Sequence, residues 1–190
     1  MREWSVLGVI AAAGLFVAGC GKTAPPTTAT TSTPTPGFAL TSPAFAAGAA
    51  IPKKYDYDSG CVSPPLAWSG VPAAAKELAL IVVDPDAHDF KHWVVYKIPA
   101  TATGLEEGLG ETPRPAKPAG AIQGKNEVDG IGYLGCDPPS GETHHYHFHL
   151  YALDAALTAG EGLNGGQLQE AMKGHIVAET ELVATYKRDR

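Results

Sequence analysis

The stretch Gly132–Asp154, GYLGCDPPSGETHHYHFHLYALD, decides the fold. Its first half is a loop, because no helix runs through Pro138-Pro139 and glycines bracket the pair. In its second half aromatic, histidine and aliphatic residues alternate, which is the period-two pattern of a β-strand. Alternation puts His144, Tyr146, Phe148 and Leu150 on one side of that strand and His145, His147, His149 and Tyr151 on the other. A glycine-rich loop that runs straight into a strand whose first inward residues are His and Tyr builds a small polar pocket at the end of a sheet.

The segments around it also read as strands. Glu77–Val83, ELALIVV, is an apolar run between turn signals, as expected of a strand buried on both faces. It stops at Asp84-Pro85-Asp86-Ala87, and His92–Pro99, HWVVYKIP, is a second β-rich run that pairs with it as a hairpin. Ser63-Pro64-Pro65 is a rigid extended entry to a short strand that presents Leu66 and Trp68. Phe38–Pro52, anchored by Phe38, Leu40 and Phe45, reads as a first strand and a turn, and Tyr55–Gly60 as a polar loop carrying Asp56 and Asp58. Thr101–Ile131 is a long polar segment with no strand or helix of its own, the kind of loop that forms a wall. The one helical signal comes late. Asn164 is a cap, and Leu168, Ala171, Met172, His175 and Ile176 follow a spacing of three and four. A last strand is expected at Thr180–Tyr186. The pattern is mainly β: an antiparallel sandwich with a helical addition near the C-terminus.

Composition agrees. The chain has 190 residues, 44% of them hydrophobic, enough for one core and one domain, and its 22 glycines and 16 prolines favour strands and turns. A formal net charge of -6 argues against a non-specific grip on nucleic acid. Any anion must therefore be held by local donors.

Residues 1–19 read as a lipoprotein signal peptide rather than as fold. Arg2 precedes the apolar run Val6–Val17, which is shorter than the ~20 residues a membrane span needs. Val17-Ala18-Gly19-Cys20 then resembles a bacterial lipobox, which implies cleavage before Cys20 and a lipid on its sulfur. The mature protein is then extracytoplasmic and membrane-anchored, facing the cell surface or the periplasm. Residues 20–37 form a Thr/Pro-rich tether, too poor in apolar residues to pack, and residues 38–190 form the folded domain.

Several groups converge on polar chemistry at strand ends. Asp84 and Asp86 sit two apart where one strand stops, His92 opens the next, and His144 and Tyr146 open the central one. A carboxylate beside an imidazole raises its pKa, and a protonated His, a Tyr hydroxyl and free loop N–H groups together cradle a phosphate or sulfate. In this reading the aspartates orient the imidazoles while His144 and Tyr146 face the anion.

These residues carry a resemblance. SPPLAWSGVP, DPDA, HWVVYKIP, GYLGCDPPSG with HHYHFHLYALD, and AMKGHIVAETELVATY stand in the order of the phosphatidylethanolamine-binding protein family, in its bacterial Raf-kinase-inhibitor-like branch. The resemblance covers Phe38 to Lys187. It implies two antiparallel sheets with a C-terminal helix and a small anion pocket near the surface. The family's pocket positions fall on Asp84, Asp86, His92, Gly135, Pro138, His144 and Tyr146. Animal members of the family bind phospholipid headgroups and restrain kinases.

The chain departs from the family in two places. Animal and plant members carry Arg after the pocket histidine, where this chain has His145. His145, His147 and His149 alternate on one strand face, a spacing that can hold a transition metal. No nearby carboxylate or cysteine is expected to complete a site on the same face, so the expectation is a packing row and no metal or other cofactor. The second departure is in the cysteines. Relatives of the bacterial branch often place one Cys in the loop before the SPPL stretch and one just before the Pro-Pro pair, and here both are displaced, to Cys61 and Cys136. With Cys20 taken by lipid and the compartment oxidising, the two are expected to form a disulfide.

The leading expectation is a lipid-anchored binding protein that holds a small anion or phospholipid headgroup and modulates a partner enzyme. It is not expected to be an enzyme itself. The alternatives are a protein-interaction module inhibiting a surface enzyme, and a hydrolase that uses the Asp/His cluster, for which no nucleophile motif is visible.

Overall fold

The structure, a computed structural model, describes residues 37–189. The residues expected to form the signal segment, the cysteine expected to carry lipid, Cys20, and nearly all of the expected tether lie outside those residues. Eight strands and one α-helix follow in chain order: β1 (Ala39–Thr41), β2 (Leu66–Ser69), β3 (Glu77–Asp84), β4 (Phe90–Pro99), β5 (Gly104–Leu105), β6 (Ile122–Gln123), β7 (Thr143–Leu153), α1 (Gly165–Met172) and β8 (Ile176–Lys187). They form a three-stranded sheet, β1-β2-β5, and a five-stranded sheet, β6-β4-β3-β7-β8, with all named pairings antiparallel. The fold is mainly β, two antiparallel sheets with one short helix near the C-terminus.

The alternation read from the sequence sorts the core. Leu78, Leu80 and Val82 of β3 and Phe148 and Leu150 of β7 pack with Leu40, Leu66 and Trp68 of the smaller sheet, in the layer between the sheets. The opposite faces of the same strands, with Ala79, Ile81, Tyr151 and Leu153, pack under Leu168 and Met172 of α1. β3 is thus buried on both faces, which is why its sequence is continuously apolar. Helix α1 starts where expected. The Asn164 side chain accepts from Gln167 N at 2.9 Å, and the Gln167 side chain accepts from Asn164 N at 3.0 Å.

Three local readings change. Helix α1 ends at Met172, so His175 and Ile176 are not helical, because Gly174 adopts φ +79° and turns the chain into β8. β8 therefore begins four residues before Thr180, at Ile176. Within the long loop, short strands β5 and β6 pair with β2 and β4, too brief for a periodic signal. The third change is at the cysteines. Cys61 and Cys136 are both free. Cys136 is buried in the core, with its sulfur 3.5 Å from the Tyr133 hydroxyl, while Cys61 sits half-buried at φ +54° in the turn after Asp56. Burial pushes the Cys136 thiol up to about 12.

Candidate functional site

A cavity of about 610 Å³ opens where β3, β4 and β7 begin or end together. Its wall includes Asp84, Asp86, His92 and His144, so four of the expected pocket residues share one site although they are spread over three strands. The antiparallel order β4-β3-β7 accounts for this. It brings the end of β3 beside the starts of both neighbours.

Asp84 is the hub. The carboxylate is buried, and one oxygen caps the 3-10 turn Pro85–Ala87 by accepting from Ala87 N at 3.2 Å. The other lies 2.7 Å from His144 Nδ1 and 4.0 Å from His92 Nε2. His144 Nε2 points toward Glu142, 3.7 Å away. Burial opposes charging of His144, but the hydrogen bond to Asp84 and the charges of Asp84 and Asp86 outweigh it and raise its pKa.

His92 is set the other way. Its Nδ1 donates to Leu134 O at 2.9 Å, and Leu134 N donates back to His92 O at 2.8 Å, so the pocket loop is clamped to β4. Burial is the largest influence on this ring and lowers its pKa. A neutral ring with its proton on Nδ1 leaves Nε2 as an acceptor. The two histidines are therefore shifted in opposite directions, His144 toward the charged ring and His92 toward the neutral one.

Asp86 holds the next residue of β7. It accepts from His145 N at 2.7 Å and pairs with His145 Nδ1 at 2.9 Å, which depresses the Asp86 pKa. His145 is thus tied to the turn.

The remaining expected residues support the wall from behind. Gly135, Pro138 and Tyr146 are buried and do not themselves line the cavity. Gly135 is where Asp56 and Tyr57 press against the pocket loop: a Cβ there would lie 2.3 Å from the Asp56 carbonyl carbon. Tyr57 N donates to Cys136 O at 3.1 Å, and buried Asp56 accepts from the Tyr186 hydroxyl at 2.5 Å, locking loop, pocket and β8 together. Tyr146 packs edge-on to His92 at 5.1 Å. Its hydroxyl lies near Cys136 and the Asp137 backbone but meets hydrogen-bond geometry with no partner among the described residues.

The cavity has a lining the sequence did not signal. Tyr57, Phe90, Val128, Leu134 and Pro139 make an apolar mouth, with Tyr57 50% and Val128 61% exposed. They come from segments far apart in the chain, and only the fold collects them. Asp137 and Glu142 add carboxylates at the rim, where Arg188 pairs with Asp137 and, through two contacts of 2.9 Å, with Asp58.

On the far face of β7 the expectation that no carboxylate accompanies the histidine row fails. Glu179 and Glu181 of β8 stand against His147 and His149, since the residues that complete the face belong to the neighbouring strand.

Residues 41–187 match the model of the family described as phosphatidylethanolamine-binding protein. The chain belongs to this family. Among similar members, a UPF0098 protein of Methanothermobacter thermautotrophicus is 46% identical over 140 residues, covering 73% of this chain and 91% of the relative. A protein of Mycobacterium tuberculosis named as a candidate lipoprotein, LppC, is 40% identical over 167 residues, 85% of this chain and 79% of its own. The crystal structure of a candidate phosphatidylethanolamine-binding protein homologue, CT736 of Chlamydia trachomatis, superposes with a TM-score of 0.71 at 43% identity, covering 80% of this chain and 98% of that one. YbcL of E. coli, another family member, superposes at 0.72 with 32% identity, over 79% of this chain and 98% of its own. Membership of the phosphatidylethanolamine-binding protein family implies a headgroup-like anion site, and the cavity at Asp84 and His144 has the donors and acceptors for one.

Proposed function

We propose that the protein is a lipid-anchored, extracytoplasmic binding protein that takes a small phosphorylated ligand in this cavity, without turnover. The observation that carries the reading is the pair of histidines around one buried carboxylate, His144 Nδ1 at 2.7 Å and His92 Nε2 at 4.0 Å from Asp84, with pKa values moved in opposite directions. A charged His144 offers Nε2–H to a phosphate oxygen. Neutral His92 and the carboxylates of Asp84 and Glu142 offer acceptors a few ångströms away. A bare dianion would be repelled by those carboxylates. A ligand that pairs an anionic oxygen with its own donor, either a hydrogen phosphate or a phosphate linked to an ammonium group, satisfies both sides. The apolar mouth suits the aliphatic part of such a headgroup. The anchor follows from the lipobox-like VAGC ending at Cys20 and from the lipoprotein name of the mycobacterial relative.

The test is calorimetric titration of inorganic phosphate and phosphoethanolamine into the mature protein and its His144→Gln variant at pH 6 and pH 8. Binding to wild type at pH 6 is expected to weaken at pH 8, as the ring loses its second proton. It should weaken by roughly 10- to 150-fold in the variant, the span of a lost charged hydrogen bond. Tighter binding of phosphoethanolamine than of phosphate identifies a headgroup-type ligand. Equal affinity for both proteins at both pH values overturns the assignment.

A further inference from the structure

We propose that His147, His149 and Glu181 form a divalent transition-metal site on the face of β7 opposite the pocket, with Glu179 holding His149 in place. The three residues bring their ligand atoms within 4.8 Å of one another. Glu181 Oε1 is the focus: it lies 2.6 Å from His147 Nδ1 and 3.4 Å from His149 Nε2. In a tetrahedral zinc shell with bonds of about 2.0–2.1 Å, neighbouring ligand atoms stand about 3.3–3.4 Å apart. The His149–Glu181 separation already has that span, and His147 reaches it by a small rotation.

The contact behind His149 sets the ring. Its Nδ1 lies 2.9 Å from Glu179 Oε1, and a carboxylate only accepts, so Nδ1 carries the proton. Its Nε2 faces the Glu181 oxygen at 3.4 Å. A carboxylate on one imidazole nitrogen and a metal on the other is the arrangement that orients metal-bound histidines generally. Tyr151 stacks on the His149 ring at 6.1 Å, and the His147 and His149 rings stack at 6.0 Å, so the pair is fixed rather than splayed.

The scaffold is suited to the task. β7 lies inside the sheet between β3 and β8, and the register sets His149 directly opposite Glu181. Sites built on paired strands hold their geometry better than sites on loops. The side chains of His147, His149 and Glu181 are 29%, 24% and 40% exposed, so a metal has a path in and water can complete its shell. Two imidazoles and one carboxylate select zinc or a neighbouring first-row ion over calcium or magnesium, which prefer all-oxygen ligands.

The experiment is titration of the chelator-treated mature protein with Zn²⁺ by calorimetry, and with Co²⁺ by visible absorption. One equivalent should bind, and Co²⁺ should give the intense bands of a four-coordinate site. His149→Gln and Glu181→Gln should each lower affinity at least ~100-fold, and Glu179→Gln by ~10- to 100-fold, the usual effect of losing such an orienting carboxylate. His175→Gln, whose ring pairs with Asp154 elsewhere, should leave binding unchanged. Circular dichroism of each metal-free variant separates lost binding from lost folding. Absence of one-to-one binding, or binding that survives both His149→Gln and Glu181→Gln, overturns the proposal. In that case the cluster is a set of His–Glu contacts between β7 and β8.

Discussion

Asp84 and His144 are sixty residues apart in the chain and 2.7 Å apart in space. That contact joins the end of β3 to the start of β7 and raises the His144 pKa. The neighbouring His92 is 4.0 Å from the same carboxylate, yet burial lowers its pKa. One aspartate therefore sits between two rings shifted in opposite directions, and the first predictions come from that asymmetry.

Replacing Asp84 with Asn keeps the shape and the cap on Ala87, since Asn caps as well as Asp. It removes the charge that supports His144. The His144 ring should titrate at a lower pH than in wild type, read from its imidazole proton resonances, and phosphate binding near neutrality should weaken. Loss of the charged hydrogen bond should cost about 1.5–3 kcal/mol of stability, measured by chemical denaturation. An unmoved His144 titration would show that the contact does not control the ring.

The two histidines should shape the pH dependence of stability in opposite senses. His144 has its pKa raised in the folded state, so its contribution is complete below the ordinary value of 6.5 and is lost as pH rises through the raised one. His92 has its pKa lowered, so its contribution is present above 6.5 and is lost as pH falls through the lowered one. Denaturation curves from pH 5 to pH 9 should therefore show His144→Gln removing a decline on the alkaline side. His92→Gln should remove one on the acid side. Parallel curves for both variants and wild type would contradict the assignment.

The free cysteines predict a simple thiol pattern. In a Cys20→Ser protein, Cys61 should react with a thiol reagent in the folded state. Cys136, buried and with its thiol pushed up to about 12, should react only on unfolding, at a rate slower by orders of magnitude. Two thiols should be counted in denaturant without reductant. A count of zero would mean that the pair forms a disulfide after all.

Lipidation is tested in the cell. The lipobox-like sequence before Cys20 predicts that wild type takes up labelled fatty acid and sediments with membranes. Cys20→Ser should abolish the label and release the protein or leave its precursor uncleaved. An unlabelled wild type would remove the anchor from the proposed function.

The sequence by itself determined the strands and the strand-end chemistry. Period-two alternation in β7 and the apolar run of β3 are local patterns, and so is the capping pair Asn164 and Gln167. Asp84, Asp86, His92 and His144 stood out because each lies where an apolar run begins or stops, and the family motifs tied them together. Tertiary structure decided what depends on neighbours from other parts of the chain. Tyr57, Phe90 and Val128 meet at one mouth only because two loops and the start of β4 converge on it. Gly135 proved to be a contact for Asp56, which no local pattern reveals. Cys61 and Cys136 looked like partners by elimination, yet burial holds one sulfur against Tyr133 instead. The histidine row on β7 showed no carboxylate because its glutamates lie across the ladder on β8, about thirty residues further on. Strand register sets that pairing, and register follows from the whole sheet, where each residue's neighbours come from two other strands.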